Sequence, residues 1–356
     1  MKIISLIGAR PQFIKEAVVN SEFKKRENVK EIIVNSGQHY DFNMSDIFFD
    51  VLNISKPDYN LNIGSGAHGE MTGKIMIEFE KIALREAPDA IIVYGDTNTT
   101  LAGAIVSSKL KIPIYHIEAG IRMFPKNMPE EINRVLTDRI SDKLFCPSNL
   151  AVENLKKEGI INGVYFTGDV MFDLFLKMEK DFRYDFFKNL NLKENDYILL
   201  TLHRDYNVDN KERLFQILQN ISKIKEKVKI VFPIHPRTKK MINKFGFEKF
   251  LEDIIVTEPT DYLNLMGLIK MSKKVVSDSG GVQKEAYFAK KRCGIISIDT
   301  GWQEIVDIGW NRLLEPGDIE EFILSEEQDD YVGMLYGDGK AGEKIANIIC
   351  KNLGEN

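Results

Sequence analysis

Short, near-continuous runs of aliphatic residues, each ending in glycine or polar turn residues and most followed by a helical pattern, limit this chain's fold more than any other feature. The first is Lys2-Ile-Ile-Ser-Leu-Ile-Gly8, after which Pro11 is placed to begin a helix over Gln12 to Lys24. Similar runs follow at Glu31 to Asn35, Ala90 to Tyr94, Ile112 to Ile117, Lys143 to Cys146 and Val164 to Thr167. Strands apolar on both faces and alternating with helices belong to a parallel sheet covered on both sides. The rhythm restarts at Tyr197 to Leu202 and continues through Lys229 to Ile234, Ile254 to Thr257, Lys274 to Ser277 and Gly294 to Ile298. Two doubly wound α/β sheets are therefore expected, as suits a chain of 356 residues, too long for one core. The stretch Asp169 to Asn195 reads as a charged, helical connector. Domains are expected over 1–170 and 171–338, with 339–356 a C-terminal helix able to pack back on the N-terminal domain. Ile345, Ala346, Ile349 and Leu353 form its apolar stripe.

Composition excludes several classes. Lys and Arg number 48 against 53 Asp and Glu, a net charge of -5 with no long run of either sign, so no nucleic-acid footprint is indicated. Cys146, Cys293 and Cys350 are isolated, which argues against a disulfide framework or zinc knuckle and for a reducing cytoplasm. The apolar run Ile3 to Ile7 is too short for a signal peptide, and nothing approaches a membrane span. No H-E-x-x-H pair or acidic cage suggests a catalytic metal, and neither a G-x-S-x-G elbow nor a Walker A sequence occurs.

In parallel sheets ligands bind past the C-terminal strand ends. The sharpest such end is Val276-Ser-Asp-Ser-Gly-Gly-Val-Gln-Lys-Glu285. Its Ser279-Gly280-Gly281 turn lets backbone approach a ligand closely, and the helix it opens favours an anion such as a diphosphate. Glu285, one turn on, is placed to accept bonds from ribose hydroxyls; a glycine turn with a solvated glutamate is the plainer reading. Arg10 and Lys15 flank another helix start as phosphate partners or as ordinary surface cations. Asp96 and Glu118 each follow an apolar strand, where desolvation would raise a carboxyl towards general-base range, although Asp96 is equally an N-cap candidate. Glu130 lies in a first helical turn, where acids are commonly dipole partners. His203 and His235 end second-half strands, His116 lies within a strand, and His39 and His68 lie in loops.

Together these segments resemble the non-hydrolysing UDP-N-acetylglucosamine 2-epimerases, whose fold is that of the GT-B glycosyltransferases, with two Rossmann-like domains and a cleft between them. The matching words are Gly8-Ala-Arg-Pro-Gln-Phe-Ile-Lys15, Gly37-Gln-His39, Gly95-Asp-Thr-Asn-Thr-Thr-Leu-Ala-Gly103, His116-Ile-Glu-Ala-Gly120 with Arg122, Pro129-Glu-Glu-Ile-Asn-Arg134, Thr201-Leu-His-Arg204, His235-Pro236 and Asp278-Ser-Gly-Gly-Val-Gln-Lys-Glu285. They are in order and run from residue 1 to about 335. The resemblance implies reversible inversion at C2 of a UDP-2-acetamido sugar, by elimination of UDP to a 2-acetamidoglucal and its re-addition, in the making of surface polysaccharide precursors. It implies Asp96, Glu118 and Glu130 as the acid/base set with His203 beside them, and Arg10, Lys15, Arg122, His235, Ser279, Gly280, Gly281 and Glu285 as substrate contacts. It also implies no NAD or other cofactor and a homodimer; some bacterial relatives bind an activator at the segment matching Gln38 and His39, but Asp41 stands where a longer amide is expected for that contact, so activation is left open.

Two departures, Gln12 in the opening word and Trp302 in Thr300-Gly-Trp-Gln-Glu304, resemble the subgroup acting on UDP-2,3-diacetamido-2,3-dideoxyglucuronic acid. Arg122, Lys126, Arg204 and Arg237 are candidate partners for its 6-carboxylate. A GT-B glycosyltransferase and a non-catalytic nucleotide-sugar sensor are the other readings.

Overall fold

The apolar runs become strands because both of their faces are covered: every residue of Ala90–Tyr94 and of Tyr197–Thr201 is buried. The computed structural model describes residues 1–37, 55–123, 128–184, 188, 190–326 and 331–354. It divides into two compact units, one of Met1–Lys177 with Met334–Asn356, the other of Met178–Gly333.

In the first unit, β1 (Lys2–Ile7), β2 (Lys30–Asn35), β3 (Tyr59–Asn60), β4 (Ala90–Tyr94), β5 (Ile114–Ile117), β6 (Lys143–Cys146) and β7 (Val164–Phe166) pair in the order β3-β2-β1-β4-β5-β6-β7. All pairings are parallel. In the second, β8 (Tyr197–Thr201), β9 (Lys229–Pro233), β10 (Ile255–Thr257), β11 (Lys274–Ser277), β12 (Cys293–Ile295) and β13 (Arg312–Leu313) pair in the order β10-β9-β8-β11-β12-β13, again all parallel. Each sheet runs outward from its first strand, then reverses. The chain diverges to opposite faces at β1/β4 and at β8/β11, and ligands of such sheets bind at this switch point.

Strand limits follow local chemistry. The run at Ile112 starts as a strand only at Ile114, because Pro113 has no N–H to give a neighbour and the Ile112 N–H is spent on Ser107 of the preceding helix. The last long strand stops at Ile295, and Ile298 is 76% exposed beyond it. Pro11 is the second residue of the Arg10–Phe23 helix.

Ile4, Leu6, Val34, Ile91, Val93 and Phe79 form the heart of the first core, and Leu200, Ile217, Ile230, Phe232 and Phe322 that of the second. The Ala341–Gly354 helix packs on the Arg10–Phe23 helix, where Gly342 is needed because a Cβ would come within 2.8 Å of Val18 Cγ1. Its amide at Gly342 donates to Asp173 Oδ2 at 2.8 Å.

One polar cluster lies inside the first unit. Glu31 accepts from Ser5 Oγ at 2.5 Å and Asn20 Nδ2 at 2.7 Å, and borders a cavity of about 210 Å³ with Lys24, Lys56 and Asp58. Glu16 is fully buried, with neither carboxyl oxygen hydrogen-bonded among the described residues. Burial pushes the Glu31 carboxyl up to about 7 against the opposing pull of its Ser5 and Asn20 bonds. A carboxyl raised on folding stabilises the native state fully below its unfolded value of 4.5, and that contribution disappears as pH climbs through 7. Glu31→Gln is therefore expected to gain on the parent as pH rises, its apparent melting temperature ending on the order of 5 °C higher at alkaline pH than at acid pH relative to the parent. Parallel melting profiles for the two proteins across that range would refute this assignment.

Candidate active site

At the first switch point β1 and β4 end side by side, and one side chain ties their turns together. Gln12 is 1% exposed. Its Oε1 accepts from the Gly8 and Ala9 amides at 2.8 and 3.0 Å, while Nε2 donates to the Tyr94 carbonyl at 2.7 Å and to the Thr97 and Thr100 hydroxyls at 2.9 Å. The sequence reading ties Gln12 to substrate choice; the structure makes it an internal brace. Arg10 is the first residue of the helix that Gln12 anchors.

Asp96 follows Gly95, whose φ of 62° turns the chain out of β4. Thr97, not Asp96, caps the next helix, accepting from the Thr100 amide. The Asp96 carboxylate, 30% exposed, is held by Arg134 Nη2, and its carbonyl accepts from Asn133 Nδ2 at 2.9 Å. On the adjacent strand end, Glu118 sits at φ 68°, a left-handed conformation that costs a non-glycine residue on the order of 1 kcal/mol or more. Its Oε1 meets Lys15 Nζ at 2.5 Å, with both side chains about one-tenth exposed. The two turns are close: a Cβ on Gly95 would lie 3.3 Å from Lys15 Nζ and 3.4 Å from Glu118 Oε1.

The Pro129–Ile140 helix divides its acids. Glu130 is exposed, whereas Glu131 is buried, accepting from Arg134 Nη1 and from the Met123 amide, each at 3.0 Å. Arg122 makes a fork with Glu158, two bonds of 2.6 Å, and donates to Asp138 Oδ2 at 2.7 Å. Those bonds commit it to the architecture of the first unit. Gln38, His39 and Lys126 lie outside the described residues.

In the second unit β8 and β11 are joined at their ends by Asp278, which is 3% exposed. Its carboxylate accepts the backbone amides of His203 and Arg204 at 2.9–3.1 Å and lies 3.3 Å from His203 Nδ1. His203 and His235 stand with ring centroids 5.6 Å apart, and His235 Nδ1 caps the Pro236–Phe245 helix by accepting from the Arg237 amide at 3.2 Å. Burial lowers both imidazoles from 6.5; Arg237 assists at both, and Arg204 also acts on His203 against the pull of Asp278. Arg237 pairs with Asp209.

Ser279 precedes the Gly280–Phe288 helix without capping it through its side chain. Gly280 and Gly281 have no positive φ, and a Cβ on either would meet nothing nearer than 3.9 Å. Folding therefore does not require glycine at either place, and the turn is left open to close approach. Arg204 Nη2 and Trp302 Nε1 stand 3.9 and 4.0 Å from that hypothetical Gly280 Cβ. Trp302 donates to the Gly280 carbonyl at 3.0 Å, and the Lys284 ammonium lies 3.7 Å from its ring centroid. Glu285 is buried one turn along.

Among the described residues no group of three or more His, Cys, Asp or Glu is placed to hold a metal ion, and no helix is long and apolar enough to cross a membrane. Sequence reasoning assigned no role to Arg134, Glu131, Asp138 or Asp278. The helical spacing of positions 131, 134 and 138, one charged residue per turn on one face, is the signal that was available for the first three.

Two parallel sheets of this order, with carboxylates at one switch point and an open glycine turn at the other, define a GT-B-like α/β enzyme. The profile of the UDP-N-acetylglucosamine 2-epimerase family matches residues 21–350, and the chain belongs to that family. A UDP-N-acetylglucosamine 2-epimerase homolog of Methanococcus maripaludis is 46% identical, covering 99% of this chain and 100% of its own. The UDP-2,3-diacetamido-2,3-dideoxy-D-glucuronate 2-epimerase of Pseudomonas aeruginosa is 45% identical over the same shares. The crystal structure of Methanocaldococcus jannaschii UDP-GlcNAc 2-epimerase with UDP-GlcNAc and UDP superposes with a TM-score of 0.88 at 43% identity, covering 99% and 100% of the two chains.

The glycine geometry gives a direct test. Gly280→Ala should fold as well as the parent, with an unchanged melting temperature, yet bind UDP, used as the probe, roughly tenfold or more weakly by calorimetry. Unaltered affinity would remove the turn from the binding site.

Proposed function

We propose that the protein reversibly inverts C2 of a UDP-2-acetamido sugar of the UDP-N-acetylglucosamine type by eliminating and re-adding UDP. A base removes the C2 proton, the C1–oxygen bond breaks, and UDP departs to leave a 2-acetamidoglucal; UDP then returns to C1 as a proton is delivered to the other face of C2. The observation that carries this reading is the pair of carboxylates at neighbouring strand ends, Asp96 with Arg134 and Glu118 with Lys15. Each is held by a cation and aimed by its turn, as acid/base groups must be. Glu130, exposed in the described structure, is the third member of the proposed set. The Ser279-Gly280-Gly281 amides, His203, His235 and Glu285 would receive the diphosphate and ribose as charge grows on the leaving group.

The same reaction on UDP-2,3-diacetamido-2,3-dideoxyglucuronic acid is a second reading, favoured by the Pseudomonas aeruginosa relative. Comparing turnover of the two nucleotide sugars decides between them. In deuterated water the true substrate should gain deuterium at C2 without any acceptor, whereas a glycosyltransferase would leave C2 protonated. Asp96→Asn is expected to lower that exchange by about 10² or more while UDP affinity stays within roughly threefold; undiminished exchange would exclude Asp96 from proton transfer.

We also propose a homodimer joined through the first unit. Ile132, Val135 and Leu136 share one face of the Pro129–Ile140 helix at 39–47% exposure, and Ile77 and Leu84 are 58% and 64% exposed on the His68–Glu86 helix. The Asn98–Leu110 helix packs against both, so these residues belong to one helical layer. Exposed aliphatic rows of this kind mark association surfaces. Leu136→Asp should shift the sedimenting species from dimer to monomer, and an unshifted species would place the contact elsewhere.

A further inference from the structure

His116 has no part in the reaction as proposed, yet it is fully buried beneath the Asp96 turn with an acceptor at each ring nitrogen. Nε2 lies 2.7 Å from the Gly95 carbonyl oxygen and Nδ1 lies 2.7 Å from Asp138 Oδ1. A carbonyl can only accept, so Nε2 carries a hydrogen. Asp138 is equally committed to accepting: its Oδ2 takes bonds from Arg122 Nη1 at 2.7 Å and from the Gly120 amide at 3.1 Å. Burial alone would raise its carboxyl, but His116 and Arg122 outweigh that and hold it below the usual range. Asp138 Oδ1 thus fixes the Nδ1 end of the ring while Nε2 donates to Gly95, so the imidazole is pinned at both ends.

The bonds around this ring form a circuit. Arg122 reaches Asp138, Asp138 reaches His116, and His116 reaches Gly95, which joins Asp96. Asp96 is held by Arg134, Arg134 by Glu131, and Glu131 by the amide of Met123, next in sequence to Arg122. Asp96 is thereby fixed through its carboxylate by Arg134, through its own carbonyl by Asn133 and, from below, through the preceding carbonyl by His116. The peptide between Gly95 and Asp96 sets the direction in which the acid leaves the sheet. Only His116 acts on it from the buried side among these contacts.

We propose that His116 is a positioning residue for the C2 proton transfer, a buried ring locked by Asp138 that holds the Gly95–Asp96 turn in its reactive orientation. This rests on the reading of Asp96 as an acid/base group. The charged or titratable groups about the ring are Asp138 and Arg134 on the Pro129–Ile140 helix, Arg122 in the loop, Asp96 past β4, Glu118 at its own strand end with Lys15, and Cys146 on β6, whose thiol burial pushes up and keeps neutral.

Two measurements test it. In wild-type protein labelled with ¹⁵N-histidine, correlation of ring protons with nitrogens should show a hydrogen on His116 Nε2, the atom that faces the Gly95 carbonyl. A ring bearing hydrogen on Nδ1 alone overturns the bond to Gly95, whether or not the enzyme is active. In the C2 exchange assay, His116→Leu should lower kcat roughly a hundredfold with KM and UDP affinity within about threefold, and His116→Gln, which keeps one donor for Gly95, should recover about tenfold of that loss. Wild-type kcat in His116→Leu, or equal losses in the two variants, overturns the positioning role. Failure of the wild-type protein itself to exchange C2 would refute the epimerase reading instead, and the ring spectrum would still decide the bond to Gly95.

Discussion

Everything chemical in this structure depends on strand order reversing beside the first strand of each sheet. A parallel sheet sends successive crossovers to one face until the order turns back, and there two neighbouring strands deliver their loops to opposite sides. The gap above such a pair has no crossover helix to fill it. At β1/β4 the chain closes the base of that gap with Gln12, which satisfies backbone on both turns; at β8/β11 it does so with Asp278, which gathers the amides of His203 and Arg204. Both braces are buried polar groups with their bonding capacity engaged, so they are rigid supports at small net cost.

The two gaps are furnished for different work. In the second unit the groups at the strand ends are backbone at a helix start, imidazoles whose proton affinity burial lowers, and an open glycine pair. In the first they are carboxylates that would repel phosphate unless compensated, and each is paired: Asp96 with Arg134, Glu118 with Lys15. Pairing alone would make them ordinary salt bridges. The left-handed backbone at Glu118 and the glycine turn before Asp96 show that these acids are held where the chain would not place them unaided.

The sheets were legible because burial on both faces leaves a signature independent of tertiary detail. Ala90–Tyr94, Lys143–Cys146 and Lys274–Ser277 have the limits their apolar runs suggest. The edge strands Tyr59–Asn60 and Arg312–Leu313 were not legible, since two residues pairing on one side need neither apolar run nor period. Asp96 and Glu118 could be picked out because they directly follow strands. Their partners could not, because Arg134 and Lys15 lie 38 and 103 residues from them in sequence and the parallel pairing of β1 with β4 and of β4 with β5 brings those regions together. Gln12 stood out only as a departure from the family's opening word, and its role as a brace was not legible, because the five groups its amide reaches come together only in the fold.

The same distinction bears on what an arginine in such a motif means. Arg122 follows an acidic strand end and looks available to a substrate when read as a letter, while Arg134 lies inside the Pro129–Ile140 helix. In the folded unit each is bound to two carboxylates, Arg122 to Glu158 and Asp138, Arg134 to Asp96 and Glu131. A guanidinium so held is part of the mould that fixes carboxylate positions, and its fork geometry suits it to that use better than a flexible ammonium would. Lys15, by contrast, contributes a point charge at one carboxylate oxygen, and its remaining donors leave it able to serve a phosphate oxygen at the same time. The chain thus separates cations committed to two carboxylates from one that meets a single carboxylate oxygen.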